Sequence, residues 1–285
     1  MGESASAVGG GVTARDGIVR GATALATISD TPRLDAELLM AHALGLSREA
    51  MLLGRLDDLA PESFAGLLRR RLDGEPIAYI TGRRAFWTIE LAVAPGVLIP
   101  RPDTETLIEA AIDHFGARAP ASILDLGTGS GALLLAALDI WPDAHGLGID
   151  RSPEALVIAR GNAERLGLAE RARFQAGDWG EGIADRFDLV LCNPPYVESE
   201  AVLPREVAEH EPASALFAGP EGLDEYRRLA PQIGQMLAPG GVACIEIGFA
   251  QGAAVSALFR DAGFDPSIRQ DLGGRDRCVI LGGSS

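Results

Sequence analysis

No part of this chain is apolar for long enough to span a bilayer. The longest apolar runs, such as Ala132 to Leu138, fall far short of the roughly 20 residues a membrane helix needs. Cysteine is scarce: Cys192, Cys244 and Cys278 stand far apart, each in an apolar stretch. An odd count without paired spacing argues against a disulfide framework and for reduced, buried thiols in a cytoplasmic protein. The four histidines, His42, His114, His145 and His210, form no cluster with cysteine, so no metal site is expected. Positive charge is in deficit, with 25 Lys+Arg against 40 Asp+Glu and a net charge of -15. That balance disfavours a protein whose affinity comes mainly from phosphate neutralisation. Arg69, Arg70 and Arg71 make one small basic patch, expected to be a solvated helix face. Met1 to Ala14 is Gly/Ser/Ala-rich with Glu3 as its one charge, and lacks the basic start and apolar stretch of a signal peptide. It is expected to be a disordered leader.

What remains is ordinary globular material: 285 residues, 47% hydrophobic and 23% charged, enough for one large domain or two smaller ones. The first ordered part reads as helical. Ile18 to Ile28 is a plausible helix, Thr31-Pro32 opens a second that Gly45 stops, Ser47 caps a third, and Pro61 to Leu72 is a fourth. Phe86 to Val93 and Val97 to Ile99 read as a hairpin about an Ala94-Pro95-Gly96 turn. Pro102 then precedes a helix to about Phe115, with Asp103 or Thr104 as its cap. From Ser122 onward strands alternate with helices to the end of the chain, which implies a mostly parallel sheet covered on both faces. The expected division is a leader at 1–14, a helical domain at 15–84, a β-hairpin connector at 85–103 and an α/β domain at 104–285.

The first strand of the α/β part, Ile123-Leu124-Asp125-Leu126, runs into Gly127-Thr128-Gly129-Ser130-Gly131 and then a helix. A glycine-rich turn lets a ligand approach the backbone at a helix N-terminus. Asp150 ends the next strand, where an acid can accept hydrogen bonds from both hydroxyls of a ribose. These features alone fit either a dinucleotide or S-adenosylmethionine. The Gly-x-Gly-x-Gly spacing departs from the dinucleotide fingerprint, and Asp125 suits a cationic amino group or its water shell better than a pyrophosphate, so the methyl donor is favoured. Asp178 and Trp179 close the third strand, where the adenine would lie: Asp178 to accept from its exocyclic amine, Trp179 to cover the ring or supply its backbone amide.

The fourth strand ends in Asn193-Pro194-Pro195-Tyr196. Two prolines stiffen this loop and remove two backbone donors. The Asn193 side-chain carbonyl and the Pro194 backbone carbonyl can each accept a hydrogen bond from a substrate –NH₂, and Tyr196 can pack on the planar group. An amide or aromatic amine has a delocalised lone pair and is a poor nucleophile. Two acceptors would fix its nitrogen in line with a sulfonium methyl and stabilise the positive charge that develops there. Asn193, Pro194 and Tyr196 are therefore the candidate catalytic residues, and Pro195 joins them in substrate binding. Cys192 is expected to be a small packing residue that seats the loop.

With these motifs in place, the chain resembles the release-factor glutamine N5-methyltransferases. The resemblance covers most of its length: Asp35-Ala36-Glu37-Leu38-Leu39, Pro76 to Gly82, Phe86-Trp87, Leu98-Ile99-Pro100-Arg101-Pro102-Asp103-Thr104-Glu105, Asp125 to Gly131, Asp150 and Asn193 to Tyr196. One departure is Asp103, where the family commonly has Glu. The resemblance implies a class I methyltransferase: a Rossmann-like, mostly parallel seven-stranded sheet, with a small N-terminal α-helical domain joined by a β-hairpin. It implies S-adenosylmethionine as cofactor, S-adenosylhomocysteine as product and no metal. Gly127, Thr128, Gly129, Ser130, Gly131, Asp150, Trp179 and Asn193 would hold the cofactor. The implied substrate is the glutamine of the Gly-Gly-Gln motif in bacterial class 1 peptide chain release factors, docked by the helical domain and hairpin. No membrane and no direct nucleic acid partner is expected, and the chain is read as a cytoplasmic monomer. Arg101 and Glu105 either shape the site mouth or pair locally. Three rivals remain. One is a glutamine methyltransferase of a ribosomal protein, and another is a binding protein that keeps the fold without turnover. The third, a DNA adenine-N6 methyltransferase, would have to flip its base and is disfavoured by the acidic charge.

Overall fold

The computed structural model describes residues 11–283. The expected leader lies mostly outside them; within its described end, Thr13 caps the first helix by accepting from the Asp16 N–H at 3.2 Å. Two compact units emerge, one running to Gly82 and including Arg205–His210, the other made of Arg83–Pro204 and Glu211 onward.

The first unit is helical: α1 Ala14–Leu25, α2 Pro32–Leu44, α3 Arg48–Gly54, α4 Ser63–Leu72 and α5 Ile77–Thr81. Ser47 caps α3 as its sequence position suggests, whereas the Thr31 side chain makes no cap bond and Pro32 alone sets the start of α2. Ile18, Leu25, Leu39, Met40, Met51 and Phe64 form the core. The Asp35 and Glu37 carboxylates are buried in α2, so each needs a cationic partner. Asp35 accepts from Arg71 at 2.9 Å; Glu37 accepts from Arg33 at 2.9 Å and Arg48 at 2.8 Å. Arg71 is thus no solvated residue: it is 6% exposed and bridges Asp35 to Glu206 at 2.5 Å.

The second unit opens with a hairpin, β1 Arg83–Phe86 and β2 Ile89–Ala92, in which Phe86 pairs directly with Ile89. Its turn is therefore Trp87-Thr88, not Ala94 to Gly96. Trp87 takes a positive φ of 52° and its N–H donates to Glu105 at 2.9 Å. Ala94 to Gly96 does turn, but Val97 to Ile99 is no strand, because the Ile99 N–H donates to the buried Glu211 carboxylate at 3.0 Å and not to a strand partner. A 3-10 turn at Pro102–Thr104 leads into helix α6, Glu105–Phe115, and neither Asp103 nor Thr104 caps it: Asp103 pairs with Arg277 at 3.0 Å and Thr104 is turned inward.

The sheet strands are β3 Ser122–Leu126, β4 His145–Asp150, β5 Ala172–Ala176, β6 Phe187–Cys192, β7 Leu237–Glu246, β8 Ser267–Gln270 and β9 Asp276–Gly282. They lie in the order β5-β4-β3-β6-β7-β9-β8, with β9 antiparallel to both neighbours and the other pairings parallel. The intervening helices are α7 Ala132–Ile140, α8 Pro153–Arg165, α9 Arg205–His210 (part of the first unit), α10 Asp224–Met236 and α11 Gly252–Asp261. Apolar side chains of α6 and α7 pack on one face of the sheet and those of α10 and α11 on the other, which is why β3 and β6 are mostly apolar on both faces. No helix among the described residues is long and apolar enough to cross a membrane.

Candidate active site

The strand order reverses between β3 and β6, and an open α/β sheet leaves a crevice beyond the carboxyl ends of its strands at such a point. A cleft of about 730 Å³, counting its open mouth, occupies that place. Gly127 and Gly129 line it from the loop after β3, Asp150 from the end of β4, Trp179 from beyond β5, and Asn193 and Pro195 from the loop after β6. The loop at Gly96, Val97 and Leu98, expected to be part of a strand, borders it as well.

Local chemistry explains the shape. Gly127 takes a φ of 71°, and a Cβ there would sit 3.2 Å from the Trp179 ring, so the indole can lie against the glycine loop only because that position has no side chain. Asp150 uses both carboxylate oxygens on the backbone, accepting from the Gly129 N–H at 2.8 Å and the Ser152 N–H at 2.9 Å. Each oxygen keeps a second lone pair for a diol. The Trp179 indole N–H donates to Glu225 at 2.7 Å, which leaves the ring face for a planar group. Asp178 also borders the cleft, but it is paired with Arg228 at 2.6 Å.

Thr128, Ser130 and Gly131 do not line the cleft. Thr128 and Ser130 are buried beneath the loop, and Gly131 precedes α7 in a left-handed conformation. Thr128 donates its hydroxyl to Asp125 at 2.6 Å. Asp125, only 1% exposed, also accepts from the Leu134 N–H at 3.3 Å and leaves Oδ1 unpartnered. Its Oδ2 therefore ties the loop and the start of α7 to the end of β3. Burial pushes its pKa up to about 7, against the lowering effect of those two hydrogen bonds.

Asn193 also lines a second, smaller cavity with Leu98, Arg101, Tyr196, Val197 and Leu216. Its amide nitrogen donates to the Thr104 hydroxyl at 3.2 Å. Pro194 and Pro195 are buried. The Tyr196 hydroxyl donates to Glu246 at 3.2 Å, and burial raises its pKa, so it stays a neutral phenol. Cys192 is fully buried with its thiol pushed well up, which suits packing and not nucleophilic chemistry. Arg101 pairs with the distant Glu211 at 2.5 Å while it walls the smaller cavity, and Glu105 accepts from the Trp87 N–H. Glu246, Thr104, Glu211 and Glu225 are the residues that reading the sequence left without a place in the site. One signal did mark Glu246: it is the lone charge in the apolar run Val242 to Ile247.

A seven-stranded sheet of this order, with a glycine loop and an acid ending the next strand, defines a Rossmann-like class I methyltransferase. The methyltransferase-domain family model matches residues 118–258, and the PrmC N-terminal domain model matches residues 18–82. The release factor glutamine methyltransferase of Caulobacter vibrioides is 45% identical over 88% of this chain and 89% of its own. That of Rhodospirillum rubrum is 46% identical over 88% of this chain and 79% of its own. A methyltransferase structure from Pyrococcus furiosus, 16% identical, shares the fold with a TM-score of 0.54 over 78% of this chain and all of its own. The chain belongs to the release factor glutamine methyltransferase family.

Proposed function

We propose that this enzyme methylates the side-chain amide nitrogen, N5, of the glutamine in the Gly-Gly-Gln motif of peptide chain release factors. The observation that carries this reading is that Asn193 lines both cavities, the large cleft and the smaller one beside it. The methyl donor would occupy the first and the glutamine side chain would enter the second, so that the two meet at Asn193.

The cleft fits S-adenosylmethionine on its own chemistry. Asp150 offers acceptors for a ribose diol, Gly127 and Gly129 give open backbone, and the Trp179 ring can cover an adenine. When bound, S-adenosylmethionine supplies a sulfonium methyl group. The protein's part is to hold a weak nucleophile in line with it. The Asn193 Oδ1 and the Pro194 carbonyl accept the two amide hydrogens, and Tyr196 packs against the amide plane. Both acceptors become more favourable as positive charge grows on nitrogen, which makes them selective for the transition state. No strong base among the site residues is needed, because the nitrogen becomes acidic once alkylated and can release its proton to water. The cleft residues all belong to the second unit. The helical unit, which matches the N-terminal family model, is left to dock the protein substrate.

Incubation with methyl-labelled S-adenosylmethionine and unmodified release factor, followed by mass spectrometry, tests the reading. The expected product carries one methyl group on the Gly-Gly-Gln glutamine. Label on a ribosomal protein or on DNA, with none on the release factor, would replace it with one of the rival substrates.

A further inference from the structure

Resting on that reading, we infer that Thr104 and Glu246 are positioning residues: a buried hydrogen-bond relay that turns the Asn193 amide so that its oxygen, and not its nitrogen, faces the substrate. An asparagine amide is nearly symmetric in shape but opposite in polarity at its two ends. With the nitrogen facing the substrate, Asn193 would present donors to a group that is itself a donor, and the site would lose an acceptor. Nothing in the Asn-Pro-Pro-Tyr loop alone selects one orientation. The selection comes from behind it.

Thr104 is 3% exposed, and its oxygen accepts from the Asn193 –NH₂ at 3.2 Å. A hydroxyl can donate or accept, so this contact has a direction only if the hydroxyl hydrogen is committed elsewhere. The Glu246 carboxyl, 1% exposed at the end of β7, faces the Thr104 hydroxyl. Its Oε1 accepts from Tyr196 at 3.2 Å, and its Oε2 has no partner at bonding geometry. An acceptor with spare capacity in a dry site draws the nearest rotatable hydroxyl hydrogen. The hydrogen of Thr104 therefore points to Glu246, its lone pairs point to Asn193, and Asn193 must answer with –NH₂. Its Oδ1 is left for the substrate. The same carboxyl holds the Tyr196 hydroxyl, so one buried acid sets two members of the substrate loop. The relay needs both oxygens of residue 246 as acceptors, one for Tyr196 and one for Thr104, and the carboxylate provides both.

The test uses the full-length protein in two measurements. The chain has only two asparagines, Asn162 and Asn193, so asparagine-selective ¹⁵N labelling gives two side-chain amide signals. Asn162 holds the Ala92 and Ser130 carbonyls and serves as an internal control for folding. In the wild type both amides should be protected from solvent exchange. Thr104→Val should lose the protection of Asn193 alone, and Thr104→Ser should keep it. In parallel, methyl transfer to release factor is measured. Thr104→Val and Glu246→Met should lower kcat about 10- to 100-fold, less than loss of a whole charge-stabilising group, with KM for both substrates nearly constant. Thr104→Ser, which keeps the hydroxyl, should recover most of kcat, whereas Glu246→Gln, which turns one of the two acceptor oxygens into a donor, should stay impaired. The relay is wrong if Thr104→Val turns over normally with Asn193 unmoved, or if Thr104→Ser is as impaired as Thr104→Val, since bulk and not the hydroxyl would then matter. If the wild type itself transfers nothing to release factor, the proposed substrate fails, and the amide signals still decide whether Thr104 holds Asn193.

Discussion

Asn193 and Asp150 border the same cleft and should fail in different ways when altered. Asn193→Ala removes an acceptor that gains strength only as charge develops on the substrate nitrogen. It should lower kcat by about 10²–10³, the size of effect seen when one preorganised charge-stabilising group is lost, and leave the dissociation constant of S-adenosylmethionine nearly unchanged. Asp150→Ala frees the Gly129 and Ser152 N–H groups and, on the proposed reading, takes a charged acceptor away from the ribose. Hydrogen bonds to charged groups contribute roughly 1.5–3 kcal/mol each, so cofactor affinity should fall at least about tenfold. Calorimetric titration separates the two cases; an unchanged dissociation constant for Asp150→Ala would remove the ribose contact from the mechanism. Asp125 makes a different kind of residue-scale prediction. Its pKa is about 7 in the folded chain against 3.8 for the free group. Between those values the unfolded chain has released the proton and the folded chain still holds it, so this group lowers stability as pH rises from about 4 to 7. In Asp125→Asn the fall of unfolding free energy with pH should be shallower, by up to about 1.4 kcal/mol per pH unit. Urea titrations at pH 5, 6 and 7 measure that slope, and an identical slope in the variant would place the titration elsewhere.

At the scale of elements, the segment from Ala94 to Arg101 borders both cavities without regular structure of its own. Glu211 anchors it by accepting from the Ile99 N–H and from Arg101, and Arg84 donates to the Pro100 carbonyl at 3.0 Å. Glu211→Ala leaves a buried donor unsatisfied and should cost about 1–3 kcal/mol. It should also weaken S-adenosylmethionine binding, because Gly96 to Leu98 would lose their fixed place beside the cleft. A stable variant with normal affinity would mean the segment is held by its own turns and by Arg84 at Pro100. The same segment shows where reading the sequence stops. Strands β3 and β6 were legible because both faces are covered, which demands mostly apolar runs, interrupted here only by Asp125 and Asp188, that end at a glycine loop and at Asn193. The glycine loop, Asp150 and Asn193 could be placed on the cleft from the sequence because each ends or follows a sheet strand, and Trp179 because it lies three positions beyond β5. The hairpin register was not. Ala94-Pro95-Gly96 carries the stronger turn signal, yet the hairpin closes at Trp87-Thr88, where a bulky residue holds φ 52° and its N–H is taken by a glutamate 18 positions on. The role of Glu211 was equally hidden, since its contacts are 110 and 112 residues away in sequence. Local propensity can fix an element's type, while a partner so distant can be found only by folding the chain.

For the molecule as a whole, its two units make the proposed division of labour testable. Every residue lining the two cavities belongs to the second unit. The first unit has a separate hydrophobic core and its own buried ion pairs, so it can be perturbed without touching the cleft chemistry. Arg71 is the place to do so. It reads as surface charge in the sequence, but it is buried and joins α4 to Asp35 of α2 and Glu206 of α9. Asp35→Ala removes one of its two carboxylates. Breaking a buried pair from one side costs about 3–5 kcal/mol, and the retained Glu206 contact argues for the lower end. Hydrogen exchange should then speed up in α1, α2 and α4 while β3 and β6 keep their protection, since a loss of this size opens the unit that contains it before the whole chain. S-adenosylmethionine should bind as before. If the helical unit docks the release factor, the KM for that protein should rise while kcat at saturation changes little. If kcat and KM are both unaffected despite faster exchange in the helices, the first unit does not dock the substrate, and the docking surface must lie on the unit that carries the cleft.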